Sequence, residues 1–171
     1  MSQDRPGEFG LIARYFAPLA APGGLNLTDD AAVLTPPAGC DLVLTKDCLV
    51  AGVHFFADDP PADIARKALR VNLSDLAAKG AAPLGFLLGL GLPDDWQEAW
   101  VAAFARGLGE DAARYHCPLY GGDTVRSPGP LMLSITAFGA VPTGRMLRRS
   151  GGAAGDRSEE HTSELQSLTN L

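Results

Sequence analysis

Residues 60–92 decide the fold of this chain, and their sequence is PPADIARKALRVNLSDLAAKGAAPLGFLLGLGL. Its first part predicts a helix over Ala62–Lys79, with Pro61 suited to the first turn and Gly80 suited to the end. The apolar run Pro83–Leu92 that follows predicts a buried strand. A buried stripe at helical spacing is predicted for Ile64, Ala68, Val71 and Leu76.

On either side of this helix–strand pair, helical and strand patterns alternate along the chain. They predict a helix over Glu8–Ala20, strands over Ala31–Leu34 and Asp41–Val50, a helix from Asp94 or Asp95 to Tyr115, a strand at Leu119–Tyr120 and a last strand over Leu131–Val141. Interleaved elements of this kind predict an α+β fold of the layered α/β type, in which helices cover one face of a mixed sheet.

Composition excludes several classes of protein. The 171 residues carry a net charge of −6 and no cluster of Lys and Arg, which argues against a nucleic-acid partner. The longest apolar stretch, Leu84–Leu92, is too short to span a bilayer, and the polar start predicts no signal peptide. The three cysteines form no C-x-x-C pair. We therefore expect a cytoplasmic protein with no membrane partner.

The C-terminal residues differ in character from the rest. RSEEHTSELQS (157–167) has almost no apolar content and resembles the translation of a DNA-sequencing adapter. We interpret residues 157–171 as a non-native, disordered tail, with a genuine polar tail as the alternative. The native part is then one domain, residues 1–156.

Four aspartates fall at or near the ends of predicted elements, namely Asp30, Asp47, Asp75 and Asp123. Carboxylates so close to core elements are costly unless they are paired or bind a metal. Magnesium prefers such oxygen ligands together with substrate phosphates. From spacing alone, each aspartate is better explained as a turn, cap or solvated residue than as a ligand of a shared metal site. No Walker-type phosphate loop is present, which disfavours a P-loop fold.

Several motifs in order along residues 7–156 make the chain resemble the thiamine-monophosphate kinase family. They are GEFGLIARYF (7–16), TDDAAVL (28–34), LVAGVHF (49–55), ARKALRVNLSDLAAKGA (65–81), GGDTVR (121–126) and GRMLRRSGG (144–152). DDAAVL and GGD are shared with the wider aminoimidazole ribonucleotide synthetase superfamily. The resemblance implies the fold of that superfamily's N-terminal domain.

The family uses ATP and Mg²⁺ to phosphorylate thiamine phosphate to thiamine diphosphate. The resemblance implies magnesium ligands at Asp30, Thr45, Asp47, Asp75 and Asp123, nucleotide contacts at Gly122, Asp123 and Arg149, and a substrate contact at His54. It implies no catalytic nucleophile but direct in-line transfer. Without the resemblance, His54 is better explained as a structural histidine.

Two residues depart from the family pattern. Lys46 stands where the family has a small residue, and Thr28 stands where it has Gly. The resemblance also implies a second, C-terminal domain that is missing here, and a homodimer formed through the sheet of the N-terminal domain. The active site would lie between the domains, near the dimer interface.

Two alternatives remain open. One is another ATP-dependent enzyme of the superfamily, of the purine-pathway or selenophosphate synthetase type; the absence of a reactive N-terminal Cys or Lys motif argues against it. The other is that this polypeptide is a non-catalytic dimerisation and nucleotide-binding fragment of the kinase. We expect the truncated chain to be inactive alone.

Overall fold

A four-stranded mixed sheet forms the centre of the fold in the computed structural model, which describes residues 5–156. The predicted non-native tail lies outside the described residues. The elements are α1 (Glu8–Leu11), β1 (Cys40–Val50), α2 (Pro61–Ala78), β2 (Ala82–Leu92), α3 (Glu98–Arg114), β3 (Leu119–Arg126) and β4 (Met132–Pro142). The predicted α+β class is confirmed.

The strand order in the sheet is β1-β4-β2-β3. β4 runs antiparallel to both of its neighbours, β1 and β2, whereas β2 and β3 are parallel. The parallel pair requires a crossover connection, and α3 provides it. In this strand order, β1 and β3 are the two edge strands and lie at opposite sides of the sheet.

Side chains alternate between the two faces of the sheet along each strand, and one of these faces packs against the helices. On β4, Leu133, Ile135 and Ala137 are fully buried in the same core cluster as Ile64, Leu69 and Leu76 of α2. The residues between them on β4, such as Ser134 and Thr136, point to the opposite face. We call this second face the open face, because neither long helix covers it.

The stretch that decides the fold behaves largely as predicted. Pro61 stands in the first turn of α2, and Gly80 follows its end with φ +71°, a conformation that suits glycine. Ile64, Ala68 and Leu76 of the predicted stripe are buried, whereas Val71 is only half-buried. α2 packs on β1 and β4, with α3 beside it.

The predicted strand over Ala31–Leu34 is wrong, because this segment forms no strand. The Val33 N–H donates to the Gly23 carbonyl at 2.9 Å, so the segment attaches to the chain before it rather than to the sheet. Pro36 and Pro37, which lack N–H donors, prevent its extension.

Two helix boundaries also differ from expectation. The chain is helical from Glu8 to Leu19, but only the first turn, Glu8–Leu11, is α-helical. A π-helical segment, Ile12–Phe16, and a 3₁₀ turn, Ala17–Leu19, follow it. α3 begins at Glu98 rather than after Asp94. The Asp94 carboxylate accepts hydrogen bonds from Arg126, which hold the pKa of Asp94 below its usual range and remove it as a helix cap.

An ion pair and a buried thiol lie in the layer of helices. Arg70 of α2 donates two hydrogen bonds, of 2.6 and 2.9 Å, to the buried carboxylate of Asp111 on α3. Burial raises the pKa of the Cys117 thiol to about 12, which makes it unreactive. In residues 5–156, the helices are all too short or too polar to cross a membrane.

Candidate active site

β1 divides the candidate ligands between the two faces of the sheet. Thr45 pairs with Ala137 and Asp47 pairs with Ile135 on β4, and directly opposed residues point to the same face. Ala137 and Ile135 are buried under the helices, so Thr45 and Asp47 point to the helix side. Lys46, between them, points to the open face.

Asp75 joins this pair from above the sheet. The Thr45 hydroxyl donates to Asp75 Oδ2 at 2.8 Å, which links β1 to α2. Asp47 lies two residues further along β1 on the same side, and it is half-buried. The contact between Thr45 and Asp75, with Asp47 next along the same face of β1, places three oxygen-bearing residues near the point where α2 crosses the edge strand. We call them the β1–α2 cluster.

The β1–α2 cluster has the chemistry of a magnesium site. Its donors are one hydroxyl and two carboxylates, all hard oxygen ligands. Neither Asp47 nor Asp75 forms a salt bridge with a cation among residues 5–156. Carboxylates that are left without a cationic partner are available to a metal ion, so these residues fit the group that the family pattern implies.

Asp30 and Asp123 lie elsewhere, along a cavity of about 690 Å³ on the open face. Asp123 pairs with Gly89 of β2, which in turn pairs with Ser134 of β4, and this register places its side chain on the open face. Lys46 and Tyr120 also line the cavity. Asp47 and Asp123 are thus separated by the full width of the sheet and point to opposite faces.

The four predicted aspartates therefore do not converge within one copy of the chain. Among residues 5–156, no three His, Cys, Asp or Glu side chains stand close enough together to hold a metal. The structure brings Thr45 and Asp75 into contact, places Asp47 on the same face, and puts Asp30 and Asp123 into a separate cavity. The complete ligand set stays a prediction.

The glycine pair Gly121–Gly122 lies within β3. Gly122 stands opposite Leu88 of β2, and a Cβ atom at Gly122 would lie 1.9 Å from the Leu88 carbonyl oxygen. At Gly121 a Cβ atom would meet only the Leu87 side chain, at 3.5 Å. The close approach of β2 and β3 at Gly122 explains why a residue without a side chain occupies that position.

His54 lies in the loop between β1 and α2. The Val50 N–H donates to His54 Nδ1 at 3.0 Å, and the imidazole is otherwise exposed. Because Nδ1 accepts this bond, the neutral ring carries its proton on Nε2, which is free to donate outward. The side chain is therefore presented for contact, which is compatible with the predicted substrate role.

Arg149 lies in a short 3₁₀ turn over Arg149–Gly151 and is exposed. The preceding segment is attached to α2, because the Leu147 N–H donates to the Lys79 carbonyl at 3.2 Å. Lys79 lies one helical turn beyond Asp75. Arg149 consequently belongs to the Asp75 end of α2 and does not line the cavity of Asp30 and Asp123.

Sequence reasoning missed two residues near these sites. Lys67 of α2 donates from Nζ to the His54 carbonyl oxygen. Tyr120 packs edge-to-face on Phe138, with ring centroids 5.3 Å apart, and lines the cavity. Neither had a local signal, because a lysine on a helix and a tyrosine in a strand are ordinary until the fold places them.

Comparison with known proteins begins with the family model described as AIR synthase related protein, N-terminal domain, which matches residues 28–141. The chain belongs to this family. The AIR synthase related domain here is 51% identical over 154 residues to a thiamine-monophosphate kinase of Caulobacter vibrioides, covering 89% of this chain and 44% of that protein.

Solved structures agree with this assignment. A thiamine-monophosphate kinase structure from Stenotrophomonas maltophilia is 49% identical with a TM-score of 0.66, covering 72% of this chain and 38% of that one. The structure of AaThiL complexed with AMPPCP and TMP is 32% identical with a TM-score of 0.66, covering 91% of this chain and 49% of that one. This AIR synthase related domain therefore spans less than half the length of these relatives.

Proposed function

We propose that residues 1–156 are the N-terminal, ATP- and magnesium-binding domain of a thiamine-monophosphate kinase that acts in the cytoplasm. The observation that carries the proposal is the β1–α2 cluster, an uncompensated oxygen site in a chain 51% identical to a protein of that name. The AaThiL structure contains AMPPCP, an ATP analogue, and TMP, which supports these two substrate classes.

In the proposed reaction, one group of residues would bind Mg²⁺ and the phosphates, and His54 would bind the thiamine phosphate. Thr45, Asp47 and Asp75 would hold Mg²⁺, which supplies positive charge to neutralise the phosphates during transfer. Arg149, attached at the Asp75 end of α2, adds forked donors for a phosphate oxygen. His54, in the loop after β1, would donate a hydrogen bond from Nε2 to the thiamine phosphate.

Transfer in this arrangement requires positioning rather than a nucleophilic side chain. The acceptor is itself a phosphate, so no proton has to be removed from it at neutral pH by a protein base. The protein aligns donor and acceptor and holds the charges that develop. Direct in-line transfer therefore needs only groups that bind and orient, and these are the groups that the site contains.

A homodimer would bring the two edge strands of different copies, and the separated groups of aspartates that they carry, close together. β1 and β3 are the edge strands of the sheet, and unpaired edges invite pairing with another chain. We infer that β1 of one copy pairs with β3 of a second copy, which closes the sheets into a barrel. Gly122 of the partner subunit would then lie beside Thr45 and Asp47 on the helix side, and Asp123 of the partner subunit would lie on the adjacent strand but on the open face.

The open face supports the same association. Five large apolar side chains are exposed on it, namely Leu42, Leu44, Leu87, Val125 and Met132. All five alternate with residues that point toward the helices, so they belong to one surface. Exposed apolar side chains on one face of a sheet whose edge strand β1 is unpaired among the described residues are typical of a protein interface.

Leu44→Asp should weaken the dimer at least 100-fold, because an unpaired carboxylate would be buried at a cost of about 3 kcal/mol or more. Val33→Asp is the matched control, since Val33 is similarly exposed, 61% against 67% for Leu44, but lies outside the sheet. Analytical ultracentrifugation over a concentration series measures both. A monomeric wild-type chain, or a Leu44→Asp dimer of unchanged affinity, would contradict the proposed interface.

The kinase itself is tested in a full-length form, meaning residues 1–156 followed by the C-terminal domain that we propose to be missing here. We expect it to form thiamine diphosphate from thiamine phosphate, ATP and Mg²⁺, and the 171-residue chain alone to show negligible turnover. Selenide in place of thiamine phosphate tests the selenophosphate alternative. Formation of selenophosphate, with no thiamine diphosphate, would refute the proposal.

A further inference from the structure

The loop that carries His54 is held more firmly than an exposed loop requires. The Gly52 N–H donates to the Phe55 carbonyl, the Val53 and His54 N–H groups donate to the Val50 carbonyl, and all three bonds are 2.8–3.1 Å long. The Phe55 side chain is buried and anchors the loop in the core. The loop is therefore a folded turn that presents an exposed imidazole.

A charged contact on this turn comes from α2. Lys67 Nζ donates to the His54 carbonyl oxygen, and within residues 5–156 this ammonium forms no salt bridge. A hydrogen bond from a charged donor is stronger than a neutral one. Lys67 thus holds the backbone of the residue whose side chain is offered to the substrate.

Lys67 and Asp75 contact two different points along β1 and the loop that follows it. They are eight residues apart on α2, which corresponds to about 12 Å along the helix axis. Asp75 contacts Thr45 in the middle of β1, whereas Lys67 contacts the loop that follows β1. α2 consequently runs opposite to β1, with the β1–α2 cluster at one end and His54 at the other.

We propose that Lys67 is the positioning residue of the His54 loop. It keeps the His54 backbone in the geometry in which Nδ1 accepts the Val50 N–H and Nε2–H points outward to the thiamine phosphate. This inference rests on the proposed function for the identity of the substrate. The positioning itself is a property of the described residues and is measurable without turnover.

The first test uses the 171-residue chain. In wild type, ¹⁵N NMR should report the Nε2–H tautomer for His54. In Lys67→Ala the two tautomers should mix, and hydrogen exchange of the Val50 amide should accelerate about tenfold or more. Lys67→Arg should restore both properties because it keeps a charged donor, and Lys79→Ala serves as the control for loss of a lysine on the same side of the fold.

The second test uses the full-length form. Lys67→Ala should raise KM for thiamine phosphate about tenfold while changing KM for ATP less than about twofold. Lys67→Met, which keeps the apolar stem, covers the case in which the alanine variant folds poorly. An unchanged His54 tautomer and unchanged Val50 exchange would overturn the proposal.

A changed tautomer with an unchanged KM for thiamine phosphate would also overturn the proposed link from Lys67 to the substrate. The proposed function fails in a different way, namely by the absence of thiamine diphosphate formation in the wild-type full-length form. The two failures are therefore distinguishable.

Discussion

Asp75→Asn is expected to reduce turnover of the full-length form by about 1,000-fold or more. In the proposed function the carboxylate charge belongs to a magnesium site whose stabilisation of the transferring phosphoryl group would be worth several kcal/mol, and about 4 kcal/mol corresponds to that factor. The amide oxygen of Asn still accepts the Thr45 hydroxyl hydrogen bond. Because Asp75 is exposed, the free energy of unfolding without metal should change by less than about 1 kcal/mol.

The measurement pairs turnover with thermal unfolding, with and without saturating Mg²⁺. The ion should raise the midpoint temperature of wild type, because a ligand that binds only the folded state stabilises it. It should not do so for Asp75→Asn. Asp63→Asn is the matched control, since Asp63 lies on the same helix, is itself exposed and pairs with the half-buried Arg66. Near-normal turnover in Asp75→Asn would refute the metal role of the β1–α2 cluster.

Gly122→Ala is expected to destabilise the domain by about 3 kcal/mol, the upper end for adding a methyl group at a tightly packed position. The new Cβ atom would lie 1.9 Å from the Leu88 carbonyl oxygen, so β2 and β3 would have to separate there. The separation breaks the strand ladder that positions Asp123. We therefore expect weaker nucleotide binding in addition to lower stability.

Gly121→Ala provides the control one residue away. Its Cβ atom would stand 3.5 Å from the Leu87 side chain, an ordinary contact, so the free energy of unfolding should change by less than about 1 kcal/mol. Chemical denaturation followed by circular dichroism compares the two variants. Equal stabilities would mean that β3 can shift without cost, and the structural reason for the glycine would then be wrong.

The elements that the sequence predicted well are those with strong local periodicity. α2 begins at Pro61 and ends just before Gly80, close to the prediction, because its apolar stripe and its end signals agree. β1 and β4 were found within a few residues because their pattern alternates. The strand predicted at Ala31–Leu34 was wrong because a short apolar run does not show whether a neighbouring strand is available for pairing.

The candidate site was predictable only in its parts. Thr45, Asp47 and Asp75 were named by their resemblance to family motifs, but the 2.8 Å contact between Thr45 and Asp75 depends on how α2 crosses β1. The separation of Asp123 from Asp47 was not foreseen. It follows from the strand order, which places β1 and β3 at opposite edges.

By itself the sequence determined which elements form and which ligand chemistry the chain offers, because helix and strand periods and oxygen-bearing side chains are local properties. Only the tertiary structure decided which face each aspartate occupies. Neighbouring strand residues always point to opposite faces, but long-range packing of α2 makes one face the helix side and leaves the other open. That choice assigned Asp47 to the β1–α2 cluster and Asp123 to the open face.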